Sequence, residues 1–257
     1  MTLATGNRQV LLVARPRGIA QSEHFDIVRT AIRTPGPGEL LVRNRYLSVE
    51  PAMRGWIADA DNYSAAIPLG SVMRALAAGE VVESRADGFD AGDRVTGWFG
   101  WQEFATVSPD AVVRKVHEPD LPLSLALGVL GINGMTALLA LTTIGQPVAG
   151  ETVLVSTAAG AVGSAVGQIS RILGCRTVGI AGGPAKVAVC LDEFGYDAAI
   201  DYRAPDLAKS IARACPDGVN VYFDNTAGTI SATPARMPGI IPAANSAGTE
   251  APGTITL

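Results

Sequence analysis

The chain has 257 residues, 48% of them hydrophobic, and a formal net charge of −4, which allows one large domain or two moderate ones around a real core. Lys and Arg are scattered rather than gathered into runs, so nucleic acid is excluded as a main partner. The apolar run Val10 to Ala14 is too short for a signal segment or a membrane span, and the cytoplasm is the expected location.

The first part reads as β-rich. Candidate strands are Gln9 to Val13, Phe25 to Val28, Leu40 to Val49, Glu80 to Glu83, Arg94 to Thr96, Glu103 to Val107 and Val112 to Val116. Breaks such as Pro35-Gly36-Pro37-Gly38 and Ala91-Gly92-Asp93 separate them, as turn chemistry requires. A compact barrel-like domain over 1–121 is expected. From Pro122 the apolar spacing becomes helical, over Leu123 to Leu130 and Met135 to Ile144, with Gly131 and Gly134 between. Residues 122–150 therefore read as interdomain helices.

Beyond them strands and helices alternate: Thr152 to Ser156, Gly163 to Leu173, Thr177 to Ile180, Pro184 to Glu193, Ala198 to Ile200, Leu207 to Cys215 and Val219 to Phe223. Alternation of this kind specifies an α/β fold with a parallel sheet, here over 151–225 and ending after four strands. Of the 32 residues from Thr226 to Leu257, 23 are Ala, Gly, Thr, Pro or Ser, so 226–257 reads as an irregular tail. Within it Gly239-Ile240-Ile241 is one possible short strand, although Pro238 and Pro242 flank it and oppose a central ladder position.

The three cysteines, Cys175, Cys190 and Cys215, and the two histidines, His24 and His117, stand at wide spacing. That suits neither a disulfide framework nor a metal centre, and buried structural thiols are expected, with no metal ligand.

One stretch carries chemistry. The strand Thr152 to Val155 runs into Ser156-Thr157-Ala158-Ala159-Gly160-Ala161-Val162-Gly163 and then a helix. Small residues at Ala158 and Gly160 let a backbone approach a pyrophosphate, Gly163 lets helix and strand pack closely, and the helix start offers unpaired N–H groups to an anion. Alone the pattern is weak, because Ala158 replaces the usual first glycine, and a ligand-free tight turn stays open as the alternative. The second strand ends in Ala181-Gly182-Gly183-Pro184-Ala185-Lys186. An NAD site places a carboxylate about there for the ribose 2′-hydroxyl. Here there is none, and Lys186 suits a 2′-phosphate, which points to NADP(H), although Lys186 reads equally as an exposed cation at the start of a helix.

Four stretches together carry a family resemblance: Tyr46 to Arg54 (YLSVEPAMR), Gly128 to Thr136 (GVLGINGMT), Ala158 to Gln168 (AAGAVGSAVGQ) and Tyr222-Phe223-Asp224-Asn225. In this combination and order the chain resembles the zinc-independent medium-chain reductases of the leukotriene B4 dehydrogenase, prostaglandin reductase and curcumin reductase branch. The resemblance implies a GroES-like β-barrel followed by a Rossmann domain, an active site in the cleft between them, and NADPH-dependent reduction of the activated double bond of α,β-unsaturated aldehydes and ketones. By similarity Gly160, Ala161, Val162 and Gly163 line the pyrophosphate, Lys186 and Tyr202 take the 2′-phosphate, and Asn225 lies beside the nicotinamide ribose. Met135 and Thr136 approach the nicotinamide, and Tyr63 supplies a hydroxyl to the substrate pocket. Tyr63 also reads as an aromatic packing its loop, and Arg54 as a cation that positions the domain.

Two departures stand out. Ala52 replaces a tyrosine common in the family, which implies an altered substrate range. After Asn225 the family's Gly-Gly and its later strands do not align, which implies a C-terminally incomplete relative and puts the family's homodimer in question. Two other readings stay open: a catalytically impaired relative that at most binds nucleotide, and a zinc-free quinone reductase.

Overall fold

A computed structural model describes residues 6–58, 64–226, 228–233 and 254–256. The chain divides into two compact units, Met1–Leu127 and Gly128–Leu257.

In the first unit β1 (Asn7–Leu12) and β2 (Phe25–Thr30) pair as an antiparallel ribbon. A second antiparallel sheet holds β3 (Leu40–Leu47), β4 (Ala77–Ser84), β5 (Arg94–Gly97), β6 (Phe104–Val107) and β7 (Val112–Lys115) in the order β6-β3-β4-β5-β7. Single bridges from Gln9 to Gln102 and from Leu11 to Val72 tie the ribbon to segments flanking the sheet. The period-2 pattern of the strands gathers Leu40, Val42, Val81, Val95 and Ala105 into one buried cluster. A second cluster under the ribbon joins Leu12, Ile67 and Met73 to Met53 and Trp56 of α1 (Met53–Trp56). That single helical turn was not apparent in the strand-like spacing before it. The stretch from Leu123 is a 3-10 turn over Leu123–Leu127 packed on β3, β4 and β5, rather than a helix to Leu130. Gly128 and Gly131 follow it, joined by a turn bond from the Gly131 N–H, and two glycines so close leave a helix little to gain.

The second unit starts with α2 (Ile132–Leu139), which widens into a π turn over Ala140–Gly145. Then follow β8 (Thr152–Val155), α3 (Ala161–Ile172), β9 (Arg176–Ala181), α4 (Pro184–Asp192), β10 (Ala198–Asp201), α5 (Leu207–Ala214), β11 (Val221–Asp224), α6 (Gly228–Ala232) and β12 (Thr254–Thr256). All strands are parallel, in the order β10-β9-β8-β11-β12. Four of them are those expected. The other two elements, α6 and β12, lie in the stretch expected to be irregular, where a proline-free run allows one helical turn and Thr-Ile-Thr favours extended backbone. Gly239-Ile240-Ile241 lies outside the described residues.

Strands covered on both faces need apolar side chains in succession, and β8 supplies them: Val153, Leu154 and Val155 are all fully buried. Val153, Val155, Val221 and Phe223 face a cluster with α3, while Leu154, Val178, Ile180 and Tyr222 face one with α5. Each such side chain contributes about 1.5–3 kcal/mol by leaving water. Helix starts follow local rules. Pro184 at the first position of α4 comes preset for helix, and the Asp206 carboxylate accepts the Lys209 N–H across 3.1 Å at the start of α5.

Candidate functional site

The strand order places a topological switch point between β8 and β11. The helix after β8 packs on one face of the sheet, and Ile230 of the turn after β11 packs on the other. In open α/β sheets a ligand crevice forms at the carboxyl ends of such strands. Here a crevice of about 160 Å³ is lined by Thr157, Gly160, Gly182, Lys186, Tyr202 and Arg203, among others. A full small-molecule site occupies roughly 300–1,000 Å³, so this crevice suits one end of a dinucleotide.

Its floor is the turn after β8. Thr157 has φ +50°, and Gly160 is an extended N-cap with no side-chain partner, so the first N–H groups of α3 carry no side-chain cap. A Cβ on Gly163 would run into the Thr157 carbonyl oxygen, so only glycine lets α3 start this close to the turn. Ala161 and Val162 form the first turn of α3, Ala161 exposed and Val162 half-buried against the core. Ala158 is placed differently from the other motif residues. Its side chain is fully buried, a Cβ on Gly179 would stand 2.7 Å from the Ala158 Cβ, and the Ala158 N–H donates to the Ile180 carbonyl at 3.0 Å. Ala158 thus seals the turn onto β9 and does not line the crevice.

The far wall joins two loops. Gly183 has φ +88°, a conformation that favours glycine, and opens α4, which carries Lys186 in its first turn. A Cβ on Gly182 would stand 2.9 Å from the Tyr202 ring. Gly182 thus keeps this wall thin beneath the tyrosine. The Asp201 carboxylate bridges the loops, accepting the Gly183 N–H at 2.9 Å and the Arg203 N–H at 3.0 Å. Those donations, the Gly183 one foremost, hold its pKa below the usual aspartate value. Lys186 and Tyr202 therefore come together in the lining of one crevice. Arg203 joins them and was missed; the signal available was a second cation directly after Tyr202.

At the switch point Ser156 and Asp224, both buried, end their strands with a polar cluster. Asp224 Oδ1 accepts from Ser156 Oγ at 2.9 Å, Tyr222 Oη at 3.2 Å, and the Thr226 N–H and Oγ1 at 3.0 and 3.2 Å. Such a set satisfies a carboxylate that burial would otherwise penalise. Asn225 donates its backbone N–H to Ser156 Oγ at 2.7 Å and its side-chain amide to the Ser156 carbonyl at 2.9 Å. Its position is fixed, beyond the lining of the crevice. Met135 and Thr136 lie on α2, Met135 exposed, and neither lines the crevice. Tyr63 lies outside the described residues.

Among the described residues no group of His, Cys, Asp and Glu is placed to hold a metal ion, and no helix is long and apolar enough to cross a membrane.

Two family descriptions match the chain: an N-terminal domain of oxidoreductase over residues 8–116 and a zinc-binding dehydrogenase over residues 161–235. The NADPH-dependent curcumin reductase of Escherichia coli (strain K12) is 41% identical over 224 residues, covering 87% of this chain and 65% of that protein. The NADP(+)-dependent 2-alkenal reductase of Nicotiana tabacum is 36% identical over 233 residues, covering 89% and 68%. The crystal structure of CurA from Vibrio vulnificus in complex with NADPH superposes with a TM-score of 0.81 at 39% identity, over 88% of this chain and 67% of that one. The chain thus spans about two-thirds of the length of these relatives.

Proposed function

We propose an activity on one premise: the chain belongs to the zinc-independent medium-chain reductases of the leukotriene B4 dehydrogenase, prostaglandin reductase and curcumin reductase branch. The activity is NADPH-dependent reduction of the activated carbon–carbon double bond of α,β-unsaturated aldehydes and ketones. The observation that carries it is the crevice beyond β8, β9 and β10, where Lys186 and Tyr202 are among the lining residues, no carboxylate among the described residues lines it, and the nearby Asp201 is engaged by main-chain N–H groups. An NAD site would need an acid there for the ribose hydroxyls, whereas a cation and a phenol suit a phosphate.

The residues present fit a dinucleotide. Gly160, Ala161, Val162 and Gly163 offer main-chain N–H groups and close approach to a pyrophosphate. Lys186 and Tyr202 hold the 2′-phosphate, and Asn225 meets the nicotinamide ribose. Met135 and Thr136 border the nicotinamide. When bound, NADPH supplies the hydride that the β-carbon of the substrate receives. The chain's own part is to fix that geometry, exclude water and stabilise the oxygen on which negative charge grows, and the Tyr63 hydroxyl is the group assigned to that oxygen.

Titration of the purified chain with NADPH and NADH, followed by loss of absorbance at 340 nm on adding a simple enal, tests the reading. Tighter binding of NADPH with enal-dependent oxidation supports it. Binding without turnover for any enal or enone leaves a nucleotide-binding protein, and a folded chain that binds neither cofactor overturns the proposal.

A further inference from the structure

We infer that Arg203 is a second cation reading the 2′-phosphate of NADPH beside Lys186, and that Asp201 acts as the positioning residue that holds it there; the inference rests on the NADPH reading of this crevice.

Four observations carry it. Arg203 lines the crevice together with Lys186 and Tyr202. Its guanidinium lies at the start of α4, since a Cβ on Gly183 would stand 3.4 Å from Arg203 Nη1. The same group sits 5.7 Å from the centroid of the Tyr202 ring, which restricts where it can swing. Finally, the ion pairs among the described residues all lie elsewhere and use neither Lys186 nor Arg203.

Two unpaired cations on one wall repel each other, and a dianion between them turns that cost into attraction. They also divide the labour. An ammonium acts as a point charge, while a guanidinium gives a planar fork that matches two phosphate oxygens.

Asp201 makes this possible by acting mainly on the backbone: the Gly183 and Arg203 N–H groups lower its pKa first, and the charge of Arg203 contributes least. A carboxylate at the end of β10 would normally oppose a phosphate. Its Oδ1 instead accepts the N–H groups of both Gly183 and Arg203, so one oxygen ties the loop bearing Arg203 to the turn that leads into Lys186. The carboxylate serves the backbone and sets the spacing of the two cations.

The test is calorimetric titration of the full chain with NADPH, NADH, 2′,5′-ADP and 5′-AMP. Arg203→Ala should weaken NADPH and 2′,5′-ADP about tenfold, the loss expected for a charge-assisted contact, while leaving NADH and 5′-AMP unchanged and so showing that the fold is intact. Arg203→Lys should keep the charge, lose the fork and weaken NADPH about threefold. Asp201→Ala should weaken NADPH, and Asp201→Asn should restore it, because the amide oxygen still accepts both N–H groups. Wild-type preference for NADPH with Arg203→Ala indifferent, or equally weak toward all four ligands, overturns the role of Arg203 alone. Tighter NADPH binding in both Asp201 variants overturns the positioning role, since the carboxylate would then act only by repulsion. A wild-type chain that binds neither NADPH nor 2′,5′-ADP overturns the cofactor reading and this inference with it.

Discussion

The phenolic hydroxyl of Tyr196 donates to the carbonyl oxygen of Gly163 across 2.7 Å, inside the core of the second unit. Burial raises the phenol's pKa, so it stays protonated and able to donate at any working pH. The ring reaches this position because Gly167, one turn further along α3, has no side chain: a Cβ there would overlap the Tyr196 ring. Gly167→Ala should therefore destabilise the protein by about 1–3 kcal/mol through overpacking. Tyr196→Phe, which keeps the ring and removes the hydroxyl, should cost about 1 kcal/mol. Urea denaturation with the slope held common measures both, and an unchanged midpoint in Gly167→Ala would mean that α3 simply shifts away.

Ser156→Ala removes a donor to Asp224 and an acceptor for the Asn225 N–H in a single change. With Asp224 buried, a loss of about 1–3 kcal/mol is expected. Ser164→Ala, whose hydroxyl bonds only within its own helix, should stay within about 0.5 kcal/mol. Equal effects of the two would show that the switch-point cluster adds nothing beyond an ordinary hydroxyl.

Lys186→Ala should weaken NADPH by about tenfold and leave NADH nearly unchanged, as loss of one charge-assisted phosphate contact does. The preference should also shrink in high salt for the wild type, because Lys186 is exposed. Equal weakening toward both cofactors would remove Lys186 from the phosphate.

Acid should weaken the fold in a set order. Glu39 is lowered to about 2, first by the Arg33 guanidinium and then by the Gly36 N–H, and Asp93, Glu103 and Asp206 are lowered by their own cationic partners. A carboxyl with its folded pKa below its unfolded one gives stability that is present above the unfolded value and lost as pH falls through the folded value. Thermal midpoints should hold near pH 6 and fall below about pH 4. Glu39→Gln should flatten only the limb that extends toward pH 2. All these groups sit at the surface, so each share is small.

Cys190 and Cys215 are buried, and that burial raises their thiols to about 11. Cys175 is buried and raised too. A thiol-specific colour reagent at pH 8 should find almost no reactive cysteine in the native chain and all three after denaturation. Fast labelling of the native protein would mean that the second unit opens readily.

The sheet of the second unit was legible because β8 and β9 are short apolar runs between amphipathic segments, and β8 to β11 needed little correction. Helix α2 began three residues earlier than its apolar spacing suggested, at Ile132. The crevice was legible in its floor and only partly in its wall. Gly160, Gly163 and Lys186 follow from spacing, since a turn between a strand and a helix fixes where they fall. Arg203 does not: whether its side chain reaches the crevice depends on the loop after β10, which a bond from the Arg203 N–H to Asp201 sets. Sequence reasoning looked for a carboxylate at the end of the second strand. The one that matters ends the third and faces main chain. Ala158 illustrates the converse, a small residue whose value lies in filling the step between turn and β9 rather than in leaving space for a ligand.

The switch point between β8 and β11 has one more consequence. The gap there is a property of strand order, and its floor is largely main chain, whereas Lys186 on the first turn of α4 and Tyr202 and Arg203 on the loop after β10 carry side chains that the cores of the sheet do not use. Cofactor choice and thermal robustness are therefore separable traits in this unit. Exchanging those three side chains should retune which dinucleotide is taken while the melting temperature stays where it was, which makes the rim of the crevice, and not the sheet, the natural place to redesign.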